Sequence, residues 1–128
     1  MDDNDVFVFG KFPSLNEFIA AMNNNRFDGA KMKKQVERDI MLQIGRLRRF
    51  ENPIIITFIW HEETKRRDKD NVAFAKKFFL DALQKAGKLP NDNNRYIEGF
   101  NDRFIYKKGQ GVRIIIEEVQ GGSFNADY

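Results

Sequence analysis

Read for its apolar and polar positions, the chain divides into seven segments. Val6 to Phe9 alternates weakly and ends at Gly10, which predicts a short strand. Ser14 then reads as a helix N-cap, because Leu15, Phe18, Ile19 and Met22 recur at helical spacing and Glu17 stands three residues after the serine, completing a capping box. That helix is expected to fray in Asn23-Asn24-Asn25. Asp28 caps a longer one, with Met32, Val36, Ile40, Ile44 and Leu47 as its apolar stripe and an end near Phe50. Pro53 to Trp60 is β-branched and almost continuously apolar, as expected of an inner strand covered on both faces. Val72, Ala75, Phe79, Ala82, Leu83 and Ala86 return to helical spacing over about 71 to 86, and Gly87 with Pro90 supplies the stop. Residues 95 to 106 and 112 to 119 read as two strands joined by a turn at Lys108-Gly109-Gln110-Gly111. The order β-α-α-β-α-β-β predicts an α+β domain, a mixed sheet with helices packed on it, over residues 1 to 120, with a loose tail from Gly121.

Composition narrows the function classes. A chain of 128 residues, 41% hydrophobic and with thirteen phenylalanines, suits one domain with a real core. No apolar run approaches the ~20 residues that span a bilayer, and the acidic start Met1-Asp2-Asp3 is unlike a signal peptide, so a cytoplasmic protein without a membrane partner is expected. The absence of cysteine removes thiolate catalysis, disulfides and Cys-based zinc sites, and a single histidine, His61, removes multi-histidine centres. The net charge of +3 is mild, but its distribution is uneven. Lys31, Lys33, Lys34, Arg38, Arg46, Arg48 and Arg49 concentrate in one segment and Lys65, Arg66, Arg67 and Lys69 in another. Such runs bind an anionic polymer or form a solvated face.

Arg67-Asp68-Lys69-Asp70-Asn71 carries the most chemistry. In an extended lead-in, side chains two apart share a side, so Asp68 and Asp70 present two carboxylates together. Their mutual repulsion is relieved by a cation, and oxygen ligands alone select a hard ion, Mg²⁺ or Mn²⁺. The plainer reading is an Asp-rich turn in which Asp70 caps the next helix and Asn71 bonds locally. At about 100° per residue, Lys77 and Asp81 return to within about 20° of Asp70, whereas Lys76 lies about 120° away. Lys77 can therefore face the carboxylates and neutralise charge on a reacting phosphate, or simply pair with Asp81.

Asp68-Lys69-Asp70-Asn71, Lys77, Leu80-Asp81-Ala82-Leu83, Lys85-Ala86-Gly87 and the acidic turn at Asp92, with a closing strand like Val112 to Glu118, resemble the RusA family of Holliday junction resolvases. The stretches Gly10 to Glu17 and Gly29 to Lys34 look like the phage and prophage members of that family. The resemblance implies a Mg²⁺-dependent endodeoxyribonuclease, acting as a homodimer on branched double-stranded DNA. Asp68, Asp70 and Asp92 match its essential acids and metal ligands, and Lys77 matches its lysine. Lys65, Arg66, Arg67, Lys69, Asn71 and Lys76 are then the expected DNA contacts. Two departures stand out: the Asp70 to Asp81 interval is about one helical turn longer than the family's, and Asn91-Asp92 replaces a pair of acids. Distance is a further difficulty. A helix over 71 to 86 is about 24 Å long, while the five or so residues after Gly87 reach at most about 17 Å. Asp92 is therefore expected either to serve a partner subunit's site or to follow a shorter helix. The rival reading is a non-catalytic DNA-binding accessory protein with a weakened acidic site.

Overall fold

A computed structural model of the chain describes residues 2–119, so the expected tail from Gly121 lies outside the described residues. Its elements are β1 (Asp5–Phe9), α1 (Leu15–Asn24), α2 (Arg26–Met41), β2 (Ile54–Glu62), α3 (Lys69–Ala73), α4 (Lys76–Lys85), β3 (Ile97–Tyr106) and β4 (Gly111–Glu118). They form one α+β domain around a mixed four-stranded sheet in the order β1-β4-β2-β3, in which only β2 and β3 run parallel. The helices lie on one face of it. Among the described residues no helix is long and apolar enough to cross a membrane.

β2 is an inner strand, as its β-branched run requires, but it is not covered on both faces. Ile54, Ile56, Phe58, Trp60 and Glu62 are buried, while the alternate residues Ile55, Thr57, Ile59 and His61 are only half-buried. The buried row continues sideways into Val112, Ile114 and Ile116 of β4 and Val6 and Val8 of β1. Phe79 of α4 packs onto it, with its ring centroid 5.0 Å from Phe12, 5.9 Å from Phe58 and 6.0 Å from Trp60. Phe79 thus meets the other three rings edge to face, while Phe58 and Trp60 stack on each other at 5.3 Å, and all four are withdrawn from water.

Local signals explain the helix limits, with three corrections. Ser14 forms the capping box, its hydroxyl accepting from Glu17 N and the Glu17 carboxylate from Ser14 N. α2 is capped by Asn25, whose side chain accepts from Phe27 N and Asp28 N, and not by Asp28. α2 also stops at Met41 rather than near Phe50. Ile44 and Leu47 are buried as the stripe required, but from a looped segment. There the Gln43 side chain accepts from Phe9 N (2.8 Å) and donates to Phe9 O (3.0 Å), which holds the loop against the outer edge of β1. The helix expected over 71 to 86 is broken at Phe74 and Ala75. Ala75, Lys77 and Phe78 donate three residues back, to Val72, Phe74 and Ala75. Such bonds tighten the turn locally. Gly87, at φ +75°, ends α4 in the left-handed region where a side chain is strained.

The turn at 107–110 does not make a hairpin, because β3 and β4 are not neighbours. β2 lies between them, and the connection passes over its end, where Lys107 N donates to Glu62 O (2.9 Å).

Candidate functional site

The Glu62 end of β2 is built around one buried ion pair. Glu62 is the last residue of the inward row and is 6% exposed. Arg67, five residues on, donates to both its oxygens, through Nε and Nη2, at 2.9 Å each. The same guanidinium donates to Phe12 O (2.8 Å) and to Glu17 (3.0 Å), and Gln110 donates to Glu62 (2.8 Å). Burial works against the charge on Arg67, but the hydrogen bonds to Glu62 and Glu17 outweigh it and hold the guanidinium pKa above its ordinary value. The loop between β2 and α3 is thereby folded back and clamped to the β1–α1 connection. Arg67 thus serves as a scaffold residue, since its donors already meet protein acceptors.

The clamp fixes where α3 starts. Asp68 sits at the N-cap position with extended backbone, and Asp70 lies in the first turn. The extended lead-in that was to align the two carboxylates is thus absent after Lys69, and residues two apart on a helix diverge. Neither acid caps the helix with its side chain. Asp68 and Asp70 are exposed, and among the described residues neither carboxylate has a hydrogen-bond or ion-pair partner. The cations around them are turned elsewhere. Lys65 lies over the Tyr106 ring (5.2 Å) and Lys69 over the Phe104 ring (5.6 Å), while Arg66 is exposed. Two unneutralised acids therefore sit inside a basic rim, favoured by the positive end of a short helix. Asn71 is half-buried beside them.

The helix break also removes the phase argument for Lys77. The count of about 100° per residue assumed one unbroken α-helix from Asp70 to Lys77, and a 3₁₀ residue turns about 120° instead. Lys77 is exposed and carries no ion pair to Asp81, which instead meets Lys33 at 3.3 Å. Lys76 is the organised one. Its Nζ donates to Asp102 Oδ2 (2.7 Å) and lies 4.7 Å from the Phe100 ring centroid. Asp102 Oδ1 in turn accepts from the indole of Trp60 (2.9 Å). Asp102 was not anticipated. It sits between Phe100 and Phe104 on the side of β3 that faces the helices, and an acid in such a row calls for a cation from the covering helix.

Asp92 is elsewhere. Its loop closes on the start of β3, with Tyr96 N and Ile97 N donating to Asn93 O (3.0 Å each), and Tyr96 O accepts from Ile54 N (2.8 Å). Asp92 thus lies near the Ile54 end of β2, and Asp68 and Asp70 near the Glu62 end, eight residues away, or about 26 Å at ~3.3 Å per residue. The shorter-helix route to one gathered site is closed. Among the described residues no three acids or histidines gather as a metal site. Asp68 and Asp70 with a substrate phosphate fit the sparse protein shell that Mg²⁺ accepts; a three-carboxylate shell does not form within one chain.

His61 lies on the other, uncovered face of the sheet, edge-on to Phe7 at 5.0 Å. Burial, then Lys107 and Arg113, push its pKa down, which suits a neutral packing residue.

No protein-family model and no curated protein matches the chain.

Proposed function

We propose that this chain is one subunit of a Mg²⁺-dependent endonuclease acting on branched double-stranded DNA, the activity implied by its resemblance to the RusA resolvases. The observation that carries the reading is the free, exposed Asp68 and Asp70 set among Lys65, Arg66 and Lys69 on a loop that Arg67 and Glu62 hold rigid. Exposed carboxylates with no protein partner are open to a hard cation, and the basic side chains around them to a polyanion. Asp68 and Asp70 are the residues to hold Mg²⁺, which when bound polarises a phosphodiester and acidifies its water. Lys65, Arg66 and Lys69 bind backbone phosphates, so affinity falls steeply with salt. Lys77 is exposed and free to reach a phosphate. Lys76 is instead committed to an ion pair with Asp102.

The test is cleavage of a mobile four-way junction with Mg²⁺ by wild type and by Asp70→Asn. Nicking by the wild type that Asp70→Asn abolishes, with junction binding retained, supports the proposal. Junction binding without nicking by either protein refutes it. That outcome selects a second reading, a DNA-binding accessory protein, which the separation of Asp92 from the other two acids favours.

A further inference from the structure

α2 buries one face and leaves the opposite one uncovered. Counted at about 100° per residue, Phe27, Lys31, Lys34, Arg38 and Leu42 fall within about 80° of one another, with the buried Val36 and Ile40 on the far side of the helix. Leu42 keeps helical backbone at the C-cap, so the stripe runs for roughly 22 Å. All five side chains are exposed. Phe27 (84%) and Leu42 (79%) are the two most exposed large apolar residues among those described, and they stand at its two ends. Apolar surface set out in this way suits an interface.

The cations between these ends are not neutralised from within the chain. Lys31 and Lys34 are three apart, and Lys34 and Arg38 four apart, spacings at which like charges destabilise a helix. Acids stand near enough in sequence to relieve them, but both are engaged elsewhere: Asp28 accepts from the Asn24 amide, and Glu37, 2% exposed, accepts from Lys85 of α4. Among the described residues the side chains of Lys31, Lys34 and Arg38 have no hydrogen-bond or ion-pair partner. Lys34 and Arg38 form a ridge between two hollows, one of about 390 Å³ beside Phe27 and Ala30 and one of about 440 Å³ beside Met41, Leu42 and Lys85.

We propose that this stripe of α2 docks an acidic amphipathic helix of another protein, its carboxylates set against Lys31, Lys34 and Arg38 and a large apolar side chain seated in the hollow at each end. Charge complementarity names the sign of the partner, and the two apolar ends name its class. A nucleic-acid backbone would meet the cations but leave Phe27 and Leu42 in water, since such interfaces are polar. An anionic bilayer takes a helix whose apolar face is continuous and whose cations lie on the polar face, whereas here the cations hold the centre of the stripe. A polypeptide can satisfy both features together. No residue of the stripe or its hollows belongs to the loop that carries Asp68 and Asp70, so this surface stands apart from the proposed nuclease site.

The probe is a fluorescein-labelled peptide of about fifteen residues, matched in length to the stripe, with glutamates at helical spacing in its middle and a tryptophan and a leucine at its ends. The full-length protein should raise its anisotropy with a micromolar Kd. Peptides with glutamine for every glutamate, or with alanine at both ends, should bind at least about tenfold more weakly. Lys34→Glu and Phe27→Ser should each cause a similar loss, and because both side chains are exposed, thermal unfolding should show the fold intact. Lys69→Ala, on the acid loop, should bind the peptide as the wild type does. A wild type that binds the acidic peptide no better than its glutamine version overturns the inference, as does binding that survives both Lys34→Glu and Phe27→Ser. Duplex DNA, and vesicles of phosphatidylcholine with phosphatidylserine, complete the test. If Lys34→Glu and Phe27→Ser abolish binding of either one while leaving peptide binding unchanged, the stripe belongs to nucleic acid or lipid and the protein partner is refuted.

Discussion

Replacing Arg67 by methionine separates a scaffold from a DNA contact. Arg67→Met keeps the length of the side chain but leaves Glu62, 6% exposed, with one donor, Gln110, out of three. Removing one partner of a buried ion pair costs about 3–5 kcal/mol, and the lost bond to Phe12 O adds about 1 kcal/mol. The adjacent loop, residues 63 to 66, is exposed and can let water reach the orphaned carboxylate, which brings the net cost to about 3 kcal/mol. For a chain of this size that lowers Tm by roughly 10 °C. The assay is thermal and urea unfolding followed by Trp60, the single tryptophan, which is 1% exposed and sits two residues from Glu62 in the same row. Adding Glu62→Gln to Arg67→Met removes the stranded charge, so the double variant should be more stable than the sum of the single losses predicts. A Tm within about 2 °C of wild type, together with a large loss of DNA affinity, would refute the scaffold role and return Arg67 to the binding surface.

Other outcomes follow from single features. Gly111→Ala should cost about 1–3 kcal/mol in urea unfolding, because a Cβ there falls 2.6 Å from Val8 O and against the Phe7 ring, inside paired strands that cannot part. Ser14→Ala removes the hydroxyl half of the capping box and should cost about 1 kcal/mol; since α1 buries no residue completely, hydrogen exchange should show this as opening of α1 alone. The hydrogen bond from Arg113 (Nε at 2.9 Å), against a smaller opposing effect of burial, holds the Asp5 carboxyl below its ordinary value of 3.8. That contribution is whole above pH 3.8 and is lost as pH falls through the lowered value. Asp5→Asn should therefore be less stable than wild type at neutral pH, with the difference shrinking in unfolding curves taken below pH 3.8.

Where a signal was local, the chain displayed it openly. The Ser14–Glu17 box, the stop at Gly87 and the β-branched run of β2 each depend on residues within a few positions, and each marks the element or limit expected there. What failed depended on partners far away in sequence. Gln43 ends α2 early by bonding Phe9, which no helical stripe reports. The apolar run of β2 suggested two covered faces, yet Ile55 and Ile59 lie on a side that no helix reaches. The acid motif was visible as residue types, but its geometry was not. The break at Phe74 and Ala75 and the position of Asp92 at the other end of β2 are tertiary facts, and the distance count only showed that one chain had difficulty closing the set. Asp102 could have been found from the alternation Phe100-Asp102-Phe104, had β3 been assigned a covered side.

The insertion of β4 between β1 and β2 bears on how the molecule comes into being. Among the described residues β1 pairs with β4 alone, and Asp5 stands opposite Ile115, so more than a hundred residues must be made before β1 finds its neighbour. During synthesis the helices and the β2–β3 pair can condense as they emerge, leaving a central slot that only residues 111 to 118 can fill. Such delayed closure slows folding and gives chaperones a window in which to engage the half-built sheet.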